Sequence, residues 1–268
     1  MNTSQDWDVI WKWQWFRRPL WQPHFRDPGH PEGKPARANA IWAAALRQFG
    51  AHRVLDCNCG LGLRSILLQE DGFSVVGTDQ SPEAIQHVRD LAQADDLPIE
   101  FFNCPWQVLG DRFTAEFDAI INDAFSWTVS RMDLRFAAHN FASALKPGGV
   151  LMFTGVDQWM APVEPDVMVD QIWNSAPRFQ FRGEFEQDGI DSTLLVVRDK
   201  QEIGVVENYL FLTRENGESH LETAEVCNSV HWTWEDYQHI CHEAGFVRVE
   251  SVRIPVGQRM HTLNIAHR

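Results

Sequence analysis

A chain of 268 residues with 44% hydrophobic content can bury a sizeable core, and no apolar run approaches the roughly 20 residues of a membrane span. Its 23 basic against 37 acidic residues leave a formal charge of −14, which argues against a nucleic-acid partner, because phosphate-backbone binding draws on clustered Lys and Arg. Five cysteines point to reduced thiols and the start MNTSQDWDVIWKWQW lacks a secretory pattern, so a soluble, cytoplasmic protein is expected.

Twelve tryptophans against two tyrosines is the unusual figure, and Trp7, Trp11, Trp13, Trp15 and Trp21 are concentrated at one end. Prolines at 19, 23, 28, 31 and 35 break long helices, so residues 1–35 read as a short helix through Trp15 followed by an irregular arm. Tryptophans in such an arm either anchor it to the core or form a lid. Ala36 to Gln48 is alanine-rich and reads as a helix stopping at Gly50.

The stretch from Val54 to Asp79, VLDCNCGLGLRSILLQEDGFSVVGTD, predicts a strand, a small-residue loop over Cys57 to Gly62, a helix over Leu63 to Leu68, and a second strand over Phe73 to Thr78 that closes on Asp79. In an open parallel sheet this unit places a ligand beyond the carboxyl end of the first strand, with the second-strand carboxylate where ribose hydroxyls lie. Only Gly60 and Gly62 of a dinucleotide fingerprint are present and Asn58 stands at the earlier position, which makes NAD the weaker choice.

The same stretch resembles motif I of the class I S-adenosylmethionine (SAM) methyltransferases, in which an acidic residue, here Asp56, ends the first strand. The resemblance is to glycine N-methyltransferase and its relatives, in LRQFGAHRVLDCNCGLGLRSILLQEDGFSVVGTDQSPEAI from Leu46 to Ile85. It implies a Rossmann-like α/β fold with a seven-stranded mixed sheet, an antiparallel β insertion and an N-terminal aromatic arm. The domain bounds expected are 1–35 for the arm or lid, 36–158 with 232–268 for the SAM-binding domain, and 159–231 for the substrate-lid insertion. By the resemblance, Asp56, Cys57, Asn58, Gly60 and Gly62 cradle the methionine part, Asp79 binds the ribose, and Gln80 and Trp106 flank the adenine. Asn122 and Asp123 then lie near the sulfonium, Lys34 meets the cofactor's carboxylate, and Trp7 falls near the family's lid tyrosine.

Further along, Ser81 with Pro82 starts a helix, Ile99 to Phe102 and Phe117 to Ile121 read as strands, and Leu134, Ala138, Phe141 and Leu145 mark an amphipathic helix. Lys146-Pro147-Gly148-Gly149 ends it, and Val150 to Phe153 is a fifth strand. Thr193 to Val197, Gly204 to Thr213 and Ser219 to Cys227 read as antiparallel strands, with Asn216-Gly217 a strong hairpin signal. Thr233 with Asp236 opens a last helix, and Phe246 to Val252 and Thr262 to Ala266 supply closing strands.

Transfer from a sulfonium asks the protein to align the nucleophile, exclude water and accept any released proton. Asp123 and His231 are the candidate proton acceptors, each with a plain alternative as a loop cap or a structural histidine. The family's carboxylate-clamping arginine is replaced by Val156 and an asparagine by Phe125, which removes a charge-assisted contact worth about 1.5–3 kcal/mol. Glycine is therefore disfavoured, and Trp7, Phe125, Trp127 and Val156 define a more apolar substrate site, unless Arg17, Arg18 or Arg131 restores the clamp. His239, His242 and Cys241, or His24 and His30, lack the partners of a metal site, so no metal is expected. The reading is a SAM-dependent methyltransferase acting on a small molecule and forming a homo-oligomer. Alternatives are a folate-dependent one-carbon transferase or dehalogenase on the same fold, and a non-enzymatic SAM sensor.

Overall fold

Helical and strand periodicities resolve into two sheets in a computed structural model that describes residues 3–17, 23–31, 33–128, 130–187, 189–202 and 204–268. The side chains of Trp15 and Arg17, and residues Arg18 and Trp21, lie outside that description. Two compact units are present, one made of residues 20–162 and 232–268, the other of 1–19 and 163–231.

The larger unit holds α2 (Pro23–Arg26), α3 (Lys34–Gln48), β1 (Arg53–Asp56), α4 (Leu63–Glu70), β2 (Ser74–Asp79), α5 (Pro82–Ala94), β3 (Glu100–Asn103), α6 (Leu109–Arg112), β4 (Phe117–Asn122), α7 (Arg131–Ala144), β5 (Leu145–Phe153), α9 (Trp234–Glu243), β10 (Arg248–Val256) and β11 (Arg259–His267). Its seven strands run in the order β10-β11-β5-β4-β1-β2-β3. Neighbouring pairs from β5 across to β3 are parallel, whereas β11 is antiparallel to β5 and to β10. The chain thus steps outward on both sides of β1, and the crevice where the order reverses opens at the carboxyl ends of β1 and β4.

Both faces of this sheet are covered by apolar side chains. Trp42 and Leu46 of α3 pack with Val54, Val75, Ile121, Met152 and Ile265 of the strands. A second core gathers Phe125, Phe141, Phe153 and Tyr237, whose rings meet at centroid distances of 5.1–6.1 Å. The PGG turn differs from its expected form. Leu145 pairs with Phe117 and Val150 with Ala119, so residues 146–149 loop out of β5 opposite Asp118, whose carboxylate takes Lys146 Nζ at 2.7 Å.

Thr233 caps α9 as its sequence predicts, with a reciprocal bond to Asp236. Thr233→Ala is expected to cost about 1 kcal/mol and to lower the melting temperature by about 2–4 °C in a scanning thermal melt.

The smaller unit contains α1 (Ser4–Arg17), α8 (Pro165–Asn174), β6 (Phe179–Gln187), β7 (Ile190–Lys200), β8 (Gly204–Glu215) and β9 (Glu218–Val230), the strands forming an antiparallel sheet in chain order. Asn216 at φ 50° and Gly217 at φ 86° make the tight turn between β8 and β9, as that dipeptide predicts. Helix α1 lays Ile10 and Trp13 against Leu194, Val196, Phe211, Ala224 and Val226. Trp13 Nε1 donates to Glu222 at 2.7 Å, and Lys12 pairs with the same carboxylate. Sequence reading missed α8 and β6: the segment FQFRGEFEQ does alternate, but Gly183 and an irregular register around Arg182 interrupt the pattern. Among the described residues no helix is long and apolar enough to cross a membrane.

Candidate active site

At the carboxyl edge of the larger sheet, β1 ends on Asp56, β2 on Asp79, β3 on Asn103 and β4 on Asn122. The loop after β1 is held from beneath. Cys57 N bonds to the Ile121 carbonyl at 3.3 Å, Cys59 N to the Thr78 carbonyl at 3.0 Å, and Gly62 N to the Cys59 carbonyl at 2.8 Å. Gly62 sits at φ +76° as the cap of α4, and a Cβ there would lie 2.2 Å from Val88 Cγ2. Gly62→Ala therefore combines a left-handed strain of about 1–2 kcal/mol with overpacking of about 1–3 kcal/mol. Urea unfolding is expected to register that loss, and Val88→Ala in the same chain to recover part of it.

Asp79 is buried, its Oδ2 accepting Gly60 N at 2.9 Å and its Oδ1 accepting Ser81 N at 3.0 Å. Burial pushes its carboxyl up to about 6, although the Ser81 and Gly60 amides partly oppose that. The Gln80 amide is a third backbone donor to this carboxylate, whose acceptor-only chemistry suits a diol. Gln80 is half-buried beside it. Trp106, also half-buried, turns its Nε1 back to the Cys57 carbonyl at 2.6 Å, tying the segment after β3 to the loop after β1. Asn122 is fully buried; its Oδ1 accepts Ala124 N at 2.9 Å, while its Nδ2 has no acceptor among the described residues.

The residue that sequence reasoning missed is Arg64. From the first turn of α4 its Nε and Nη2 clasp the wholly buried Asp56 at 2.6–3.2 Å, and Ser65 Oγ donates to the same carboxylate at 2.8 Å. Arg64 Nη1 meets Asp123 Oδ2 at 2.8 Å, and Asn58 Nδ2 donates to Asp123 Oδ1. Burial works against the guanidinium charge, but Asp123 and Asp56 outweigh it and hold Arg64 above the ordinary arginine range. One signal was readable: a cation in a first helical turn opposes the helix dipole and calls for an acidic partner.

The other expected residues fall as follows. Cys57 and Cys59 are buried, and burial, followed by nearby carboxylates, pushes both thiols well up, so neither is a ready thiolate. Lys34 opens α3 and is exposed. Trp127 is partly exposed, and Val156 is half-buried with its carbonyl taking Asn264 Nδ2 at 3.0 Å. Phe125 corrects the expectation of a substrate contact: it is 0% exposed, locked in the aromatic core by Phe141, Phe153 and Tyr237. Arg131, a possible carboxylate clamp, pairs with Asp236 at 2.7 Å. Trp7 belongs to the smaller unit, where it stacks on Trp11 and packs against the α1 core. His231 also belongs to that unit and is buried. No group of three or more metal-ligating side chains occurs among the described residues.

Residues 54–149, which span this edge, match a family model described as a methyltransferase domain. Over that span the chain is similar to the class I SAM methyltransferases. It is 33% identical over 148 residues to glycine N-methyltransferase of Mus musculus, covering 50% of this chain and 49% of that one. Identity to the glycine/sarcosine N-methyltransferase of Parasynechococcus marenigrum is 33% over 122 residues, 44% and 43% of the two chains. The chain thus spans about half the length of the curated relatives it matches. Among solved structures, the sugar N-methyltransferase KedS8 of Streptoalloteichus superposes with a TM-score of 0.64 at 18% identity over 88% of this chain and 89% of that one. DesVI of Streptomyces venezuelae gives 0.61 at 18% identity, covering 87% and 92%. These similarities establish the fold.

SAM, the cofactor of the family, fits the residues present. A buried carboxylate fixed at the end of β2, a small-residue loop pinned by backbone bonds after β1, and the buried Asn122 donor all meet at the switch point of the sheet.

Proposed function

We propose that the protein transfers the methyl group of SAM to a small molecule other than glycine. The observation that carries this reading is the Asp79 carboxylate, buried and fixed by backbone amides at the end of β2, beside the pinned glycine loop. When bound, SAM supplies an activated sulfonium methyl. Asp79 receives the ribose hydroxyls, the loop of Gly60 and Gly62 cradles the methionine part, and Gln80 and Trp106 border the adenine. Asn122 offers its unmatched amide to the ligand, and Lys34 reaches the cofactor's carboxylate. Trp127 and Val156 present an apolar wall to the acceptor, with Trp7 proposed as the lid.

An acceptor with a free carboxylate finds no clamp at Val156 and faces the negative charge of Asp123, which disfavours glycine and sarcosine. A neutral amine on a more apolar body fits better, in keeping with the N-methyltransferase names of the relatives. Asp123 has both oxygens engaged by Arg64 and Asn58, which leaves His231 as the proposed proton acceptor. A cytoplasmic setting accords with five buried free cysteines, and a homo-oligomer is the assembly we propose. The folate-dependent and sensing alternatives gain no support and are not retained.

The test is methyl transfer from labelled SAM to a panel of apolar amines, with glycine and sarcosine alongside, and light scattering for the assembly. Transfer to an apolar amine at rates well above glycine is expected. Turnover confined to glycine or sarcosine would sink the substrate assignment, and label transferred to no acceptor would sink the enzymatic one.

A further inference from the structure

The ion pairs at the carboxyl edge do not balance. Asp56 and Asp123 contribute two negative charges and Arg64 one positive, so the cluster carries −1. The two carboxylates share it unequally. Asp56 is 0% exposed and is covered by the Arg64 fork and Ser65 Oγ, whereas the Asp123 side chain is 47% exposed. Arg64 itself is only 14% exposed and cannot swing away without abandoning Asp56. The surplus charge is therefore delivered through Asp123, in a carboxylate whose position is fixed by Arg64 on one oxygen and Asn58 on the other.

A preorganised carboxylate at a partly desolvated edge discriminates ligands by charge more strongly than one free in water, because its field is less screened and it needs no reorientation. SAM carries one more positive charge than its thioether product, S-adenosylhomocysteine, and the two share every other polar group. We propose that Asp56, Arg64 and Asp123 form a charge selector. Arg64 is its positioning residue, and Asp123 is the group that makes the site prefer the sulfonium cofactor to the neutral product. The inference rests on the SAM reading above and adds to it a means of product release: loss of the methyl group removes the charge that Asp123 holds.

Calorimetric titration with SAM and with S-adenosylhomocysteine, on wild type and Asp123→Asn, tests this. Wild type is expected to bind SAM at least about fivefold more tightly than the product, and Asp123→Asn to bring that ratio near one, mainly by weakening SAM. The preference should shrink as salt is raised. Arg64→Lys keeps a cation but loses the fork that reaches both carboxylates, and it should lower the ratio while circular dichroism reports a folded chain. A merely structural role would weaken both ligands together. Both ligands binding to Asp123→Asn with the wild-type ratio overturns the selector and leaves the SAM site standing. Neither ligand binding to folded wild type overturns the SAM reading itself, and the selector with it.

Discussion

Asp79→Ala lowers the affinity for SAM by about 100-fold or more. Two ribose hydroxyls donating to a charged carboxylate contribute about 1.5–3 kcal/mol each, and every 1.4 kcal/mol is tenfold in binding. Calorimetry on both proteins measures the loss, and a change below about fivefold would remove Asp79 from the ribose site. The pH dependence gives an independent check. With the folded carboxyl at about 6 and an ordinary value of 3.8, Asp79 is a raised group. Its contribution to stability is fully present below the ordinary value and is lost as pH rises through about 6. The ligand-free protein should therefore lose that increment between about pH 4 and 7, a pH dependence that Asp79→Ala lacks. Cofactor affinity moves the other way, because protonation removes the acceptor charge: it should weaken as pH falls below about 6.

Arg64→Met is expected to cost about 3–5 kcal/mol of folding stability, the penalty for stranding a buried charge, since Asp56 is fully enclosed and Ser65 alone cannot neutralise it. The double variant Arg64→Met with Asp56→Asn removes both charges and should regain much of that loss. Urea denaturation followed by linear extrapolation separates the two, and a single variant as stable as wild type would remove the Arg64–Asp56 pair from what holds this edge together.

Most of the larger unit was legible because its signals are local. A strand end, a small-residue loop and a returning strand lie within residues 54–79, and the capping box at Thr233 and the Asn216-Gly217 turn each need only a few neighbouring positions. What escaped depends on partners far away in sequence. Phe125 looked like a cleft residue beside β4, yet aromatic rings from α7, β5 and α9 enclose it. Asp56 was assigned to the cofactor by family pattern, but a basic residue eight positions later takes its charge and passes the excess to Asp123 just after β4, 65 residues beyond Asn58, a link no periodicity encodes. The tryptophan-rich start read as an arm because its helix has no apolar partner near it in the chain.

That last separation has a consequence during synthesis. Lys12 and its carboxylate partner Glu222 are 210 residues apart, and the Ile10 and Trp13 side chains of α1 pack against strands of that late segment. At translation rates of roughly 5–20 residues per second, α1 waits roughly 10–40 s for β9 to emerge. Throughout that interval a tryptophan-studded helix stands without its sheet, a natural client for a chaperone that shields nascent apolar surface.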